Sequence, residues 1–578
     1  MLSYEEAVAA VTAPGQRFEV TNATVGASDT KLFANAPRNL RDAFAMAHAR
    51  GDAEFLVYED EHWSFGETGR HVAALGALLA DRYGVRKGDR VAIAMRNYPE
   101  WVVSFAAILS LGAISVSMNA WWSAEEMEYA LADSGAVVLI ADGERAERAK
   151  QAAGRLGTRI LAVRVAEGVA FAPRDCIDKM EDLLDLDAEL PEADIEPDDD
   201  ATILYTSGTT GLPKGAVSTH RAILQSLMGF GCRVAAESLR RESAGIVSES
   251  PAIAKRPVFI LVVPLFHVTG CVAVLLSCYL GGAGLVIMHK WDPDRALELI
   301  ERERVTNFVG VPTQSWDLLE SPRFEEADTS SLVSVGGGGA PAPPELVRRV
   351  SSGFGSGRAG IGYGMTETNA YGPQNSGDDY MTHPTSTGRG TPIVDIEVRD
   401  ENGRPLSPGE RGEIWFKGPH LIRGYWNNPE ATSETIVGGW LRTGDVGRID
   451  QDGYVYVEDR AKDMVIRAGE NIYCAEVEAV IYEHPEVYEA AVFGVPHERL
   501  GEELAAVVML RSGSTVSPGD LRAHVASHLA TFKVPSRVAI ATRALPRNAA
   551  GKILKRQLRD EMLLGDRSGG EEAVERAN

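Results

Sequence analysis

Short apolar, β-branched segments alternate along the chain with stretches in which apolar residues recur at helical spacing. Residues 90–95 and 136–141 are typical of buried strands, and residues 100–111 and 123–134 are typical of helices. Ser123 is placed to cap the second helix, because acidic residues follow it in the first turn. This alternation predicts the α/β class, with mostly parallel sheets covered by helices.

The stretch 258–288 contains no Asp, Glu, Lys or Arg. A spanning helix needs about 20 apolar residues without interruption, whereas Pro264, Gly270 and the glycine-rich run 281–284 divide this stretch. We therefore expect a strand at 258–263, a loop, a helix at 272–280 and a second strand at 284–288 inside a buried core, and no membrane span.

The pattern changes near residue 459. A helix at 475–482 and strands at 490–495 and 504–510 form a compact α+β pattern. We predict a large N-terminal domain over residues 1–459 and a small C-terminal domain over residues 460–578. No defined structure is predicted for the polar stretch 236–256.

Charge and cysteine usage narrow the function classes. The chain has 58 Lys and Arg against 82 Asp and Glu, a formal net charge of −24, which argues against broad nucleic-acid binding. The five cysteines show neither metal-ligand spacing nor the density of a disulfide scaffold. With no secretory pattern at the start, we expect a cytoplasmic location.

The strongest chemical motif is YTSGTTGLPKGAV at residues 205–217, which follows an apolar strand. Glycines allow the backbone to approach phosphate oxygens closely, hydroxyl and N–H groups donate hydrogen bonds to them, and Lys214 adds a positive charge. The P-loop pattern is absent, since Gly215 and not Ser or Thr follows the lysine.

This loop resembles the phosphate-binding signature of the adenylate-forming superfamily, which includes acyl-CoA synthetases. Further segments resemble the family's other signatures in the family's order: PLFHVTG at 264–270, SVGGGGAP at 334–341, GYGMTET at 362–368, WLRTGDVGRID at 440–450 and PRNAAGKILKR at 546–556. The resemblance covers residues from about 40 to 557. It implies stacked, mostly parallel sheets with helices and a distorted β-barrel, followed by a small mobile α+β domain that rotates about Lys462.

The resemblance implies ATP, Mg²⁺ and coenzyme A as cofactors and co-substrate. Tyr363 would stack on adenine, Asp445 and Arg460 would bind the ribose, and Thr366 would contact the α-phosphate. The residues assigned to ATP or coenzyme A are Thr206, Ser207, Gly208, Thr209, Thr210, Gly211, Gly339, Ala340, Pro341, Gly362, Tyr363, Gly364, Met365, Asp445, Arg460, Lys462, Gly469 and Glu470.

Five residues are predicted to be catalytic on the same basis. Attack of a carboxylate on the α-phosphorus of ATP brings two anions together, so the site needs cations. Lys552 would bridge carboxylate and phosphate, and Lys214 would lie near the leaving pyrophosphate. His267 would gate the carboxylate pocket. Glu367, with Thr206, would hold Mg²⁺, and Thr366 completes the set.

The acid substrate is predicted from the expected pocket walls, which carry no charge and suit an alkyl or aryl tail. These walls are Phe266, Val268, Cys271, Phe308, Gln314, Gly337 and Gly338. A medium- or long-chain fatty acid is the first expectation and an aryl or arylalkanoic acid the second. Trp121 and Trp122 are expected to pack in the core and not to face the substrate.

Other readings remain open to different degrees. An acyl-AMP ligase, which loads the acyl group onto a carrier protein, is the alternative function. The carrier would have to be a separate protein, since only 26 residues follow Lys552. A catalytically silent scaffold is disfavoured by the joint presence of Lys214, Glu367, Asp445 and Lys552. The family contains monomers and dimers, so a homodimer is an open expectation.

Overall fold

The computed structural model of the protein describes residues 2–25, 28–169, 171, 177–206, 213–246, 256–340, 342–355, 357–460, 463–467, 470–549 and 551–564. Within these residues the chain folds into two large, mostly parallel sheets, a five-stranded antiparallel sheet that curves as half a barrel, and a small C-terminal α+β region. The predicted α/β class and the stacked sheets are confirmed.

The first sheet has eight strands, of which six neighbouring strands are parallel. The last residue of its Asp200–Thr206 strand leads into the glycine-rich motif, and the sheet continues antiparallel from that strand. The strands in spatial order are Gly424–Tyr425, Lys214–Thr219, Asp200–Thr206, Ile114–Ser117, Arg90–Ala94, Val138–Asp142, Arg159–Val163 and Ile177–Lys179.

The second sheet also has eight strands, with antiparallel strands only at its two edges. The parallel register aligns Asn307, Ser334 and Arg358 at one end of three adjacent strands. The strands in spatial order are Gln374–Ser376, Arg358–Gly362, Ser334–Gly338, Asn307–Gly310, Val258–Leu261, Gly284–Ile287, Glu54–Tyr58 and Glu61–Ser64.

The main hydrophobic core contains residues of both large sheets and of the helix Pro99–Ser110, which is buried at every position except Glu100. A helix that is apolar all round is stable only when covered on all sides. The predicted helix 123–134 is confirmed as Ala124–Ser134, with Ser123 accepting the cap hydrogen bond from the Glu126 backbone N–H. The other α-helices before residue 460 are Tyr4–Val11, Leu40–His48, Phe65–Asp81, Gly143–Leu156, His220–Ser243, Ser277–Gly281, Pro293–Arg302, Pro312–Glu320, Pro344–Gly353, Gly377–Thr382 and Pro429–Thr435.

Two segments differ from the sequence-based expectation. Within the stretch 236–256, for which no structure was predicted, residues 236–243 continue the helix His220–Ser243, and residues 247–255 lie outside the described residues. The expected helix at 272–280 begins earlier, as a π-helical segment Thr269–Leu276 followed by Ser277–Gly281. Wider π-type turns of this kind recur next to functional sites, and this one begins two residues after His267. Among the described residues, no helix combines the length and the apolar character that a bilayer crossing requires.

The half-barrel sheet consists of Asp395–Arg399, Gly412–Lys417, Trp440–Ile449, Ile436–Val437 and Val455–Arg460. It corresponds to the distorted barrel implied by the resemblance. The next sheet begins at Val465, so the change of sheet falls between residues 460 and 465. Its strands are Glu470–Ile472, Val465–Arg467, Gly501–Leu510, Val487–His497 and Arg537–Ala541, and the helices Cys474–Tyr482 and Pro518–His528 cover it. Two further strands, Val20–Val25 and Ser28–Phe33, form a separate hairpin.

Candidate active site

One cavity of about 1430 Å³ brings the sequence motifs together. It opens where strands of both large sheets end, which is where ligands bind in open parallel sheets. Lys214, Thr366 and Glu367 from the large region line it together with Arg460 and Lys552. Five polar residues that are far apart in sequence therefore face a single space.

Asp445 and Tyr363, both predicted to bind ATP, contact each other and are not among the residues that line the cavity. The hydroxyl of Tyr363 donates a hydrogen bond to Oδ2 of Asp445 at 2.5 Å, and Nε of Arg460 lies 3.3 Å from Oδ1. Antiparallel pairing places Asp445 directly opposite Arg460 on neighbouring strands. Burial, reinforced by the negative charge of Asp445, raises the pKa of Tyr363 well above its ordinary value, so the ring stays neutral and its hydroxyl remains a donor.

Glu367 lies on a 3₁₀ turn, Thr366–Thr368, with 7% of its surface exposed. Its Oε1 accepts a hydrogen bond from the hydroxyl of Tyr425 at 2.6 Å, and the ammonium of Lys214 lies 5.4 Å from the centre of the Tyr425 ring. The pKa of Tyr425 is raised by burial and by the nearby Glu367 carboxylate. Tyr425 thus links the two charged groups. Sequence reasoning missed Tyr425, because it reaches the site only through strand pairing with Ala216.

Lys552 enters the cavity on a loop of the small region. The side chain of Asn548 accepts a hydrogen bond from the Lys552 backbone N–H at 2.9 Å, and the Asn548 N–H donates to the Lys552 carbonyl. Gly551 has a φ of 80° and packs so closely that a Cβ would lie 2.9 Å from Val311 of the large region. Burial, and secondarily the charge of Arg460, lower the pKa of Lys552 to about 8.

The acyl side of the cavity is lined by Phe266, His267, Val268, Phe308, Gly337 and Gly338. Burial lowers the pKa of His267 to about 4, so its imidazole is neutral near pH 7. Gly337 is required by packing, since a Cβ would lie 1.6 Å from the carbonyl oxygen of Gly310. No side chain fits between these strands.

Two predicted wall residues lie behind the cavity surface. Cys271 is fully buried in the π-helical segment. The amide of Gln314 is engaged on both sides: Oε1 accepts from the Val311 N–H at 2.9 Å, and Nε2 donates to the Val262 carbonyl at 2.8 Å. Neither residue is among the lining residues, so each acts on the pocket through packing and backbone support.

The remaining predicted residues divide into three groups. Thr206, Gly339, Gly362, Gly364 and Met365 line the cavity. Ala340 adjoins it in sequence without lining it, and Glu470 is exposed on the strand Glu470–Ile472 of the small region. Ser207, Gly208, Thr209, Thr210, Gly211, Pro341, Lys462 and Gly469 lie outside the described residues.

The cavity also contains residues that the sequence did not single out. Trp122 packs in the core, as expected, with 9% of its surface exposed, and it also lines the cavity and packs edge-on against Tyr205. The same expectation is wrong for Trp121, which is 49% exposed. At the opposite end Arg241 and Arg358 line the cavity. Trp122, Arg241 and Arg358 come from elements that are distant in sequence. The residues next to each of them in the chain do not indicate a position in the cavity.

The family assignment follows from the sequence comparisons. The AMP-binding enzyme family model matches residues 44–426, and the model of the AMP-binding enzyme C-terminal domain matches residues 476–552. The chain therefore belongs to the family of AMP-binding enzymes, as the motifs predicted.

Individual relatives cover most of the chain. A feruloyl-CoA synthase of Amycolatopsis is 38% identical over 86% of this chain and 93% of its own length, and a long-chain-fatty-acid–CoA ligase of Mycobacterium tuberculosis is 34% identical over 83% and 89%. Among solved structures, the o-succinylbenzoate CoA synthetase of Bacillus subtilis, in complex with its acyl-adenylate intermediate, has a TM-score of 0.73 at 31% identity, covering 89% of this chain and 98% of that one.

Proposed function

We propose that this enzyme is an AMP-forming acyl-CoA ligase. It would convert a carboxylic acid and ATP into an acyl-adenylate and pyrophosphate, and would then transfer the acyl group to coenzyme A with release of AMP. The observation that carries this proposal is the convergence of Lys214, Glu367 and Lys552 on one cavity from three separate elements. The names of the compared relatives, which are CoA synthases and ligases, support it.

The first half-reaction needs positive charge where two anions meet. Lys552 and Lys214 face the cavity from opposite regions of the fold, so a carboxylate and a triphosphate could lie between them. Electrostatic stabilisation by groups already in place is worth more in a desolvated site than in water. Tyr363 and Asp445 offer a flat ring and a carboxylate for adenine and ribose at the adjoining end.

The carboxylate of Glu367 and the hydroxyl of Thr206 fit a magnesium site, because both line the cavity and both offer oxygen ligands to a hard cation. Bound Mg²⁺ would supply positive charge beside the phosphate oxygens. Tyr425 holds Oε1 of Glu367 in place and leaves Oε2 for this contact.

We propose that Lys552 withdraws before the second half-reaction, so that the thiol of coenzyme A can reach the acyl carbon. In this proposal the small region rotates about Lys462 after pyrophosphate leaves, presenting the segment around Glu470 in place of Lys552. Such exchange of two surfaces by a hinge is a known class of enzyme motion. Residues 1–459 and 460–578 are the proposed domains.

The proposed substrate has an extended apolar stem, with a medium- or long-chain fatty acid as the first candidate. Phe266, Val268 and Phe308 support this by lining the acyl side. An aryl or arylalkanoic acid is the second candidate, supported by the feruloyl-CoA synthase relative. An acyl-AMP ligase that loads a carrier protein is the alternative function.

The test is product analysis by mass spectrometry. Purified enzyme is incubated with ATP, Mg²⁺ and acids from propionate to palmitate plus benzoate, cinnamate, ferulate and phenylacetate, with and without coenzyme A. Acyl-CoA with AMP, formed best from one acid class, is the expected result. Acyl-adenylate that persists despite coenzyme A would favour the carrier-protein outlet, and absence of pyrophosphate release from every acid would refute the proposal.

A further inference from the structure

The cavity extends well beyond the nucleotide motif, along three adjacent parallel strands. Asn307, Ser334 and Arg358 pair across the amino ends of these strands, and all three line the cavity. Gly338 and Gly362 line it at the carboxyl ends. Gly362 is four positions after Arg358, so the two ends lie about 13 Å apart at the usual rise of a strand.

The middle of this channel is apolar. Phe230, Val263, Phe308, Val309 and Gly360 are among the residues that line it. Aliphatic and aromatic walls of this kind stabilise an alkyl stem by removing it from water. A ligand that reaches the amino ends of the strands therefore has an apolar middle.

The far end is cationic. The helix His220–Ser243 contributes Arg233, Glu237 and Arg241 to the cavity lining, and the second sheet contributes Arg358. Glu237 is paired with Arg240 at 3.0 Å. Arg233 lies over the ring of Tyr4, 5.7 Å from its centre.

Arg241 and Arg358 lack counter-ions within the described part of the chain. Neither forms an ion pair with a described carboxylate, and the buried Nε of Arg241 has no hydrogen-bond partner among the described residues. Burial and the charge of Arg358 lower the pKa of Arg241, while Glu237 and Asp378 oppose that shift from a distance. Two guanidinium groups that repel each other and face a channel are a favourable site for an anion.

We propose that the acid substrate of this enzyme is a dicarboxylic acid, whose second carboxylate binds Arg241 and Arg358 at the far end of the channel. Guanidinium groups match a carboxylate in shape and can bind it with two parallel hydrogen bonds. The first carboxylate lies at the nucleotide end, where it is activated. This inference rests on the proposed ligase function and refines its substrate class.

The test compares matched acids in the pyrophosphate-release assay: octanoate with octanedioate, decanoate with decanedioate, and dodecanoate with dodecanedioate. The wild-type enzyme is expected to prefer the diacid, at one length, by a factor of about ten or more in kcat/KM, since one charge-assisted contact contributes roughly that factor. R241Q and R358Q are expected to lose this preference through a higher KM for the diacid, with a much smaller change for the monoacid, which has no second carboxylate. R358K should restore part of it.

R348Q is the matched control, because Arg348 is exposed on a neighbouring helix and pairs with Glu345 outside the cavity. Equal or better use of the monoacid at every length would overturn the proposal, as would equal losses for both acids in R241Q and R358Q. Release of no pyrophosphate from any acid, by contrast, would refute the ligase function itself. The two failures are therefore distinguishable.

Discussion

The large and the small regions build the site in different ways. In the large region, functional side chains are held by neighbours from that same region, as Glu367 is by Tyr425. The small region contributes Lys552 on a loop, and its described polar contacts with the large region include Tyr488 to Asp317 at 2.6 Å and Arg511 to Glu320 at 2.6 Å. The binding surface can therefore stay intact while the lysine leaves, which suits an enzyme with two half-reactions.

Replacement of Lys552 should give the largest effect, and it tests whether the two regions contribute to the site in different ways. In K552A, adenylate formation is expected to fall by about 10²–10³-fold, the typical cost of removing one group that stabilises developing charge. Thioester formation from supplied acyl-adenylate should be unchanged, because Lys552 would have withdrawn in that step. Pyrophosphate release and acyl-CoA formation are measured separately.

K290A is the control for that experiment, since Lys290 is exposed and does not line the cavity. Equal losses in both half-reactions of K552A would show that Lys552 acts in a single, fixed arrangement of the two regions.

The pH dependence of the two half-reactions should differ because of the Lys552 ammonium, whose pKa is lowered to about 8. The protonated form carries the useful charge, and it is lost as the pH rises through the pKa of the folded enzyme. The kcat/KM for adenylation should therefore fall about tenfold per pH unit above pH 8, while thioester formation from acyl-adenylate lacks this limb. K552R stays charged to higher pH, so the pH above which kcat/KM falls should be higher in this variant. A fall at the same pH as in the wild type would show that another group causes it.

The contact between Tyr425 and Glu367 tests the part of the site that the large region holds in place. Y425F removes a hydrogen bond to a charged carboxylate, and we expect about a tenfold loss of adenylation, equivalent to about 1.4 kcal/mol. The Mg²⁺ concentration for half-maximal rate should rise as well.

Y380F is the comparison variant, because the buried Tyr380 hydroxyl has no hydrogen-bond partner among the described residues. Tyr380 is not among the residues that line the cavity, so this variant should keep the wild-type rate. An unchanged Mg²⁺ dependence in Y425F would separate Tyr425 from the proposed metal site.

The smallest effect is expected at the contact between the two regions. Y488F removes the hydrogen bond to Asp317, which should weaken docking of the small region by about 1 kcal/mol. Adenylation should fall by a few-fold at most, with thioester formation unchanged or faster. Y456F is the matched control, because its bond to Asp450 lies within the large region. A larger effect in Y456F than in Y488F would contradict the assignment of Tyr488 to docking.

Much of the fold was accessible from local patterns. The strand predicted at 90–95 is Arg90–Ala94, and the helix predicted at 475–482 is Cys474–Tyr482, since apolar periodicity records which face each element buries. The π-helical start at Thr269 was not accessible, because the run 272–280 is apolar on every side and lacks a periodic signal.

The sequence by itself determined the family, the α/β class and the chemical groups of the nucleotide end, because the motifs carry glycines, hydroxyls and lysines whose chemistry is local. Tertiary structure alone decided that Tyr425 lies between Lys214 and Glu367, that Gln314 supports the backbone, and that Arg241 and Arg358 line the same cavity. These contacts join elements far apart in the chain. Strand pairing and helix packing establish these contacts, and the few residues around each position do not indicate them.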